Sequence, residues 1–135
     1  SYDHISKKAA IERNIAVLNV PNYGEKSVAQ YTLGLILALV RNLISATSGN
    51  FSDKTELMGR DLSAFSLGIV GTGTVGAAVC KIAEFFGMKI YGYDIKPKQE
   101  LVKKYGLEYL PLEDFLKNSD IKAVISECSG NLSLI

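Results

Sequence analysis

Three glycines spaced G-x-G-x-x-G, at Gly71, Gly73 and Gly76, stand in the stretch SLGIVGTGTVGAAV. The chemistry open to such a turn is anion binding by backbone. Gly71 permits a sharp turn out of a strand. Gly73 lets the backbone approach a pyrophosphate where a Cβ would intrude, and Gly76 lets the next helix lie close to the sheet. The first N–H groups of that helix, around Thr74 and Val75, have no intrahelical partner, and with the helix dipole they form an anion site. A second group follows about 20 residues on, as such turns require. It is Asp94, after the run KIYGY. Its carboxylate can accept hydrogen bonds from both hydroxyls of an adenine ribose and would repel a 2′-phosphate, which favours NAD over NADP. Lys96 and Lys98 follow closely and soften that preference. Without the carboxylate, the glycines would read equally well as a tight turn in a packed domain.

The elements that must position these groups are legible around them. Leu67 to Val70 is a short apolar run, a buried strand candidate. Thr74 to Phe86 reads as a helix stopped at Gly87. Lys89–Tyr93 is a second strand, Pro97–Tyr105 a helix ended by Gly106, and Leu107–Leu110 a third strand. Leu112–Asn118 is a short helix and Ile121–Ser126 a further strand. This alternation predicts an α/β fold, a partial doubly wound (Rossmann-type) parallel sheet with flanking helices. Upstream, Asp3–Arg13 predicts a helix and Ile15–Val20 a strand, before Pro21-Asn22-Tyr23-Gly24 breaks the chain. Ser27 and Gln30 form a capping-box pattern, which opens a helix from Val28 to about Ala46. That helix is apolar almost all round, so burial on several sides is expected. Thr47 to Ser66 reads mostly as loop.

The 135 residues suffice for one core, with 47% hydrophobic and 21% charged residues. Net charge is +1, with Lys and Arg scattered, so neither nucleic acid nor an anionic membrane is an expected partner. The most apolar run, LGLILALV from Leu33 to Val40, falls short of the ~20 residues that span a bilayer. Residues 1–10 do not read as a secretory signal. Cys80 and Cys128 have no metal-ligand spacing and read as packed, reduced thiols of a cytoplasmic protein. His4 is the one histidine and reads as structural or exposed. Arg41 is expected to meet the last carbonyls of its helix or solvent. No Ser-His-Asp set and no metal site is expected.

Several spaced motifs resemble, in order, the D-isomer-specific 2-hydroxyacid dehydrogenase family over residues 2–121. They are Tyr2-Asp3-His4-Ile5, then Asn19-Val20-Pro21-Asn22-Tyr23 with Ser27-Val28-Ala29-Gln30. Gly59-Arg60-Asp61-Leu62 and Leu67-Gly68-Ile69-Val70-Gly71 come next, followed by Phe86-Gly87-Met88, Gly92-Tyr93-Asp94 and Asn118-Ser119-Asp120-Ile121. Gly71-Thr72-Gly73 and Asn50-Phe51-Ser52 are similar to the D-lactate dehydrogenase branch.

The resemblance implies that residues 1–25 close a substrate domain and cross over. Residues 26–135 would then form the first half of a dinucleotide-binding domain, led by the long apolar helix, in a chain truncated at both ends. It implies NAD as cofactor, with Thr74 and Val75 at the pyrophosphate, Asp94 at the ribose and Ile95 near the adenine. Tyr23 matches a tyrosine near the substrate in D-lactate-type enzymes, or is a packed crossover tyrosine. The helix after Ser27 would contribute to a homodimer.

The chain also departs from the family. Phe65 stands where Lys is usual, and the His/Val-Pro-Leu-Thr segment expected beside a nicotinamide is replaced by Lys122-Ala123-Val124-Ile125-Ser126-Glu127-Cys128-Ser129-Gly130. The family's catalytic Arg, His and Glu have no match here, so no catalytic residue is assigned. The expectation is the NAD-binding portion of an oxidoreductase that moves a hydride between NAD(H) and a small D-2-hydroxy or 2-keto acid, not catalytic as this chain alone. The alternative is a non-enzymatic NAD-sensing module similar to dehydrogenase-like corepressors. A third reading is a dimeric fold held by the apolar helix, with no ligand.

Overall fold

Leu67 and Ile69 alternate with Gly68 and Val70 along β1 (Ser66–Val70), and that alternation sets the layers of the molecule. The computed structural model describes residues 5–18, 20, 23–49 and 53–125. Leu67 and Ile69 face a core shared with helices α2 (Glu25–Val40) and α4 (Thr74–Phe85). Ala29, Leu33 and Ile36 of α2 meet Val79, Ile82 and Ala83 of α4 over Leu67. The opposite face of β1 carries Gly68, where a Cβ would collide with Phe115 and Ser119, at α6 (Leu112–Asn118) and its C-terminal edge.

Four parallel strands make the sheet, in the order β3-β2-β1-β4, with β2 at Lys89–Tyr93, β3 at Glu108–Tyr109 and β4 at Ile121–Val124. β1 pairs with β2 from Ser66↔Lys89 and with β4 from Leu67↔Ile121. Helix α5 (Gln99–Tyr105) joins β2 to β3 and buries Leu101. The α/β parallel sheet with flanking helices is the architecture expected from the alternation of elements. A chain that winds outward through β2 and β3, then returns to the other side of β1, opens a crevice at the C-terminal ends of β1 and β4.

Several expectations upstream of β1 are corrected. The predicted strand at 15–20 is absent among its described residues, and Leu18 is 90% exposed with no strand beside it. The helix expected from Asp3 is α1 (Lys7–Glu12), with Ser6 accepting from the Ala9 N–H as its cap. Helix α2 begins at Glu25, three residues before the expected Val28. Gly24, at φ 86, supplies the turn that starts it, and Glu25 puts a negative charge at the positive helix end. Ser27 therefore lies inside the first turn and caps nothing.

The expected single helix to Ala46 divides at Arg41 and Asn42. Asn42 takes the left-handed conformation, φ 51, which Asn tolerates better than most residues, and α3 (Leu43–Ser48) follows. Gly59 sits against the Val40 carbonyl and Arg41 Cα so closely that no side chain would fit there. Arg41 pairs with Asp61 at 3.4 Å, not with helix carbonyls. One face of α2 is covered, but Tyr31 and Leu39 are more than two-thirds exposed and Val28 and Leu35 about half, so burial on several sides is not seen within this chain. The loop before β1 contains two short 3-10 turns, Lys54–Leu57 and Leu62–Ala64, the second burying Leu62. No helix among the described residues is long and apolar enough to cross a membrane.

Candidate functional site

The glycine turn leaves β1 where the sheet still holds it, since the Gly71 N–H donates to the Tyr93 carbonyl at 2.9 Å. Gly71 has φ 85, a conformation that disfavours any side chain. Gly76 is buried, and a Cβ there would run into the Gly71 carbonyl oxygen. The two glycines thus serve close packing between turn and helix. Gly73 differs. It is exposed, and a Cβ there would meet no protein atom within 4 Å. The space beside it is open, at the N-cap of a twelve-residue helix that no side chain caps. The N–H groups of Thr74, Val75 and Gly76 head that helix, and with its dipole they present an anion-binding end. Thr74 is exposed and Val75 half-buried.

Asp94 lies directly beside this turn. Its Oδ2 accepts from the Thr72 N–H at 2.6 Å and from the Thr72 hydroxyl at 2.7 Å. Its Oδ1 accepts from the Lys96 N–H at 2.9 Å. Partial burial pushes the carboxyl pKa up. The hydrogen bonds from Lys96 and Thr72, with the Lys98 charge, outweigh that and hold it below the ordinary carboxylate value. Asp94 is therefore an anion at neutral pH. A carboxylate offers about four acceptor positions, so three hydrogen bonds leave one, on Oδ1. That position is open to a hydroxyl donor.

The network reaches further. Tyr109 Oη lies 2.8 Å from Thr72 Oγ1 and accepts from the Lys98 N–H at 3.0 Å. Thr72 is completely buried. Neither Thr72 nor Tyr109 was singled out from sequence as a site residue. Tyr109 is 37 residues from Thr72, and only the β2–β3 pairing brings it there.

Ile95 is 89% exposed next to Asp94, an apolar side chain held in solvent beside the turn. Tyr23 is 87% exposed at the turn before α2 within this chain. His4, Cys128 and Asn50-Phe51-Ser52 lie outside the described residues. Cys80 is fully buried, and burial pushes its thiol up to about 11, which makes it a poor nucleophile. Among the described residues no cluster of His, Cys, Asp or Glu could hold a metal ion.

The arrangement can bind a diphosphate at the α4 N-terminus and a hydroxyl at Asp94. Comparison with known proteins gives the family. Residues 33–129 match the model of the D-isomer-specific 2-hydroxyacid dehydrogenase NAD-binding domain. A glyoxylate reductase of Korarchaeum cryptofilum is 36% identical over 126 residues, covering 88% of this chain and 38% of that protein. A hydroxypyruvate reductase of Thermotoga maritima is 39% identical over 122 residues, 87% of this chain and 39% of that protein. The D-lactate dehydrogenase of Aquifex aeolicus, solved with NAD and lactic acid, superposes with a TM-score of 0.76 at 34% identity, over 92% of this chain and 38% of that one. The chain spans less than half the length of each of these relatives.

Proposed function

The chain belongs to the D-isomer-specific 2-hydroxyacid dehydrogenase family, matching its NAD-binding domain, and on that premise we propose that it is the cofactor-holding part of an oxidoreductase acting on a small D-2-hydroxy acid and its 2-keto counterpart. NAD supplies the hydride acceptor and donor. This chain's residues bind and orient it. Gly73 leaves space for the pyrophosphate, the N–H groups of Thr74, Val75 and Gly76 meet its charge, Asp94 takes a ribose hydroxyl, and Ile95 offers an apolar surface to the adenine. The observation that carries this reading is the open space at Gly73, between an uncapped helix N-terminus and a carboxylate held ionised.

The substrate-side reading is part of the same proposal. Tyr23 lies near the 2-keto acid, residues 1–25 close the substrate domain, and residues 26–135 belong to the cofactor domain. Hydride transfer belongs to the whole protein. It needs a cation on the substrate carboxylate and an acid for the alkoxide, and no residue described here is assigned either role. A cytoplasmic homodimer joined through α2 completes the reading. The named relatives are enzymes and lend nothing to the corepressor-like alternative.

Titration of the full-length protein with NADH, by quenching of tyrosine fluorescence or calorimetry, tests the cofactor site. Saturable binding that Asp94→Ala weakens is expected. Undetectable binding at millimolar NADH would refute the reading.

A further inference from the structure

The Thr72 hydroxyl has a single proton. It donates to Asp94 Oδ2, so its contact with Tyr109 runs the other way, and Tyr109 Oη donates to Thr72 Oγ1. Tyr109 Oη in turn accepts from the Lys98 N–H. The hydrogen bonds therefore have one direction, from Lys98 through Tyr109 and Thr72 to Asp94, and each donor is polarised by the one behind it. The relay begins in the loop before α5, crosses to β3, passes through the turn after β1 and ends just after β2. It also pins the loop of Ile95, Lys96 and Pro97 at both ends, since Asp94 Oδ1 holds the Lys96 N–H.

We propose that Thr72 and Tyr109 are positioning residues for Asp94, fixing its one open acceptor position toward the cofactor ribose and thereby setting the preference for NAD over NADP. The inference rests on the reading of the glycine turn as an NAD site. With the relay intact, Asp94 cannot swing away from a 2′-phosphate, and the like charges repel. With it broken, Asp94 keeps only the backbone N–H bonds from Thr72 and Lys96 and can tilt away from its set direction, beside Lys96 and Lys98, whose charges attract the phosphate. The NADP penalty then relaxes while the NAD contact weakens. Neither residue would touch the cofactor.

The test measures NADH and NADPH dissociation constants in the full-length protein and its variants. Thr72→Val is expected to weaken NADH by about 10-fold, the scale of one hydrogen bond to a charged group, and to lower the NADH-over-NADPH preference by a similar factor. Tyr109→Phe keeps the ring and removes the hydroxyl. A shift of about 3-fold in the same direction is expected, because it acts through one more bond. Thr72→Ser should restore the wild-type ratio. A general loss of stability would not move this ratio, so the ratio separates positioning from packing.

If the wild type binds NADH and Asp94→Ala weakens it, yet neither variant changes the ratio, this inference falls and the NAD site stands. If the wild type binds no NADH, both fall. Should Thr72→Val fail to fold, Tyr109→Phe decides alone.

Discussion

At the scale of single residues, the three glycines separate into two kinds. Gly71 answers to its left-handed backbone and Gly76 to the protein's own packing, whereas Gly73 has empty space where a Cβ would go. The variants should therefore part company. Gly76→Ala is expected to cost about 1–3 kcal/mol of stability by overpacking, read from urea unfolding. Gly73→Ala should leave the unfolding midpoint nearly unchanged and weaken NADH about 10-fold or more, by filling space the diphosphate needs. Equal effects of the two on stability would remove the argument for an open cradle.

Asp94 adds a dependence on pH. Its carboxyl is depressed in the folded chain, so its contribution to stability is complete above the ordinary carboxylate value and is lost as pH falls through the lower folded value. Asp94→Asn should accordingly lose less stability than the wild type between about pH 6 and about pH 3. Parallel losses in urea titrations at the two pH values would contradict it. The glycines and Asp94 were legible in sequence because each reports a local backbone or charge requirement. Thr72 and Tyr109 were not, because their roles arise only when β2 and β3 pair.

Among the elements, those of the second half of the chain are plain in the sequence and those of the first half less so. Glycine stops and short apolar runs marked β2 and α6 to the residue, and Gly87 and Gly106 do end their helices at positive φ. Ser27 and Gln30 misled because Gly24 offered an earlier start, and the break at Asn42 lies where Gly59 packs from another loop against Val40 and Arg41. The matched motifs also acquire physical reasons. Asp120 Oδ2 accepts from the Ser66 N–H at 2.8 Å and lies 2.7 Å from the Ser66 hydroxyl, tying the start of β1 to the start of β4. Ser119 and Phe115 fill the space above Gly68. Gly68→Ala should therefore lift α6 from the sheet and cost about 1–3 kcal/mol in chemical unfolding. An unchanged midpoint would show that α6 yields freely.

For the whole molecule, the exposed stripe of Val28, Tyr31, Leu35 and Leu39 on α2 bears on assembly. Such a stripe at helical spacing exceeds the scattered apolar residues usual on a monomer and supports the proposed homodimer. Replacing Leu35 and Leu39 together by Glu should shift the full-length protein to a smaller sedimenting species with its helix content retained. Unchanged sedimentation would place any interface elsewhere.

The clamp between Ser66 and Asp120 has a temporal side as well. Its partners are 54 positions apart, so β1 leaves the ribosome well before its second neighbour exists. At ordinary synthesis rates that gap is on the order of seconds. Through that interval the nascent β1 has β2 on one side and nothing yet on the other. The arrival of Asp120 is the moment at which the growing domain can first close around its central strand.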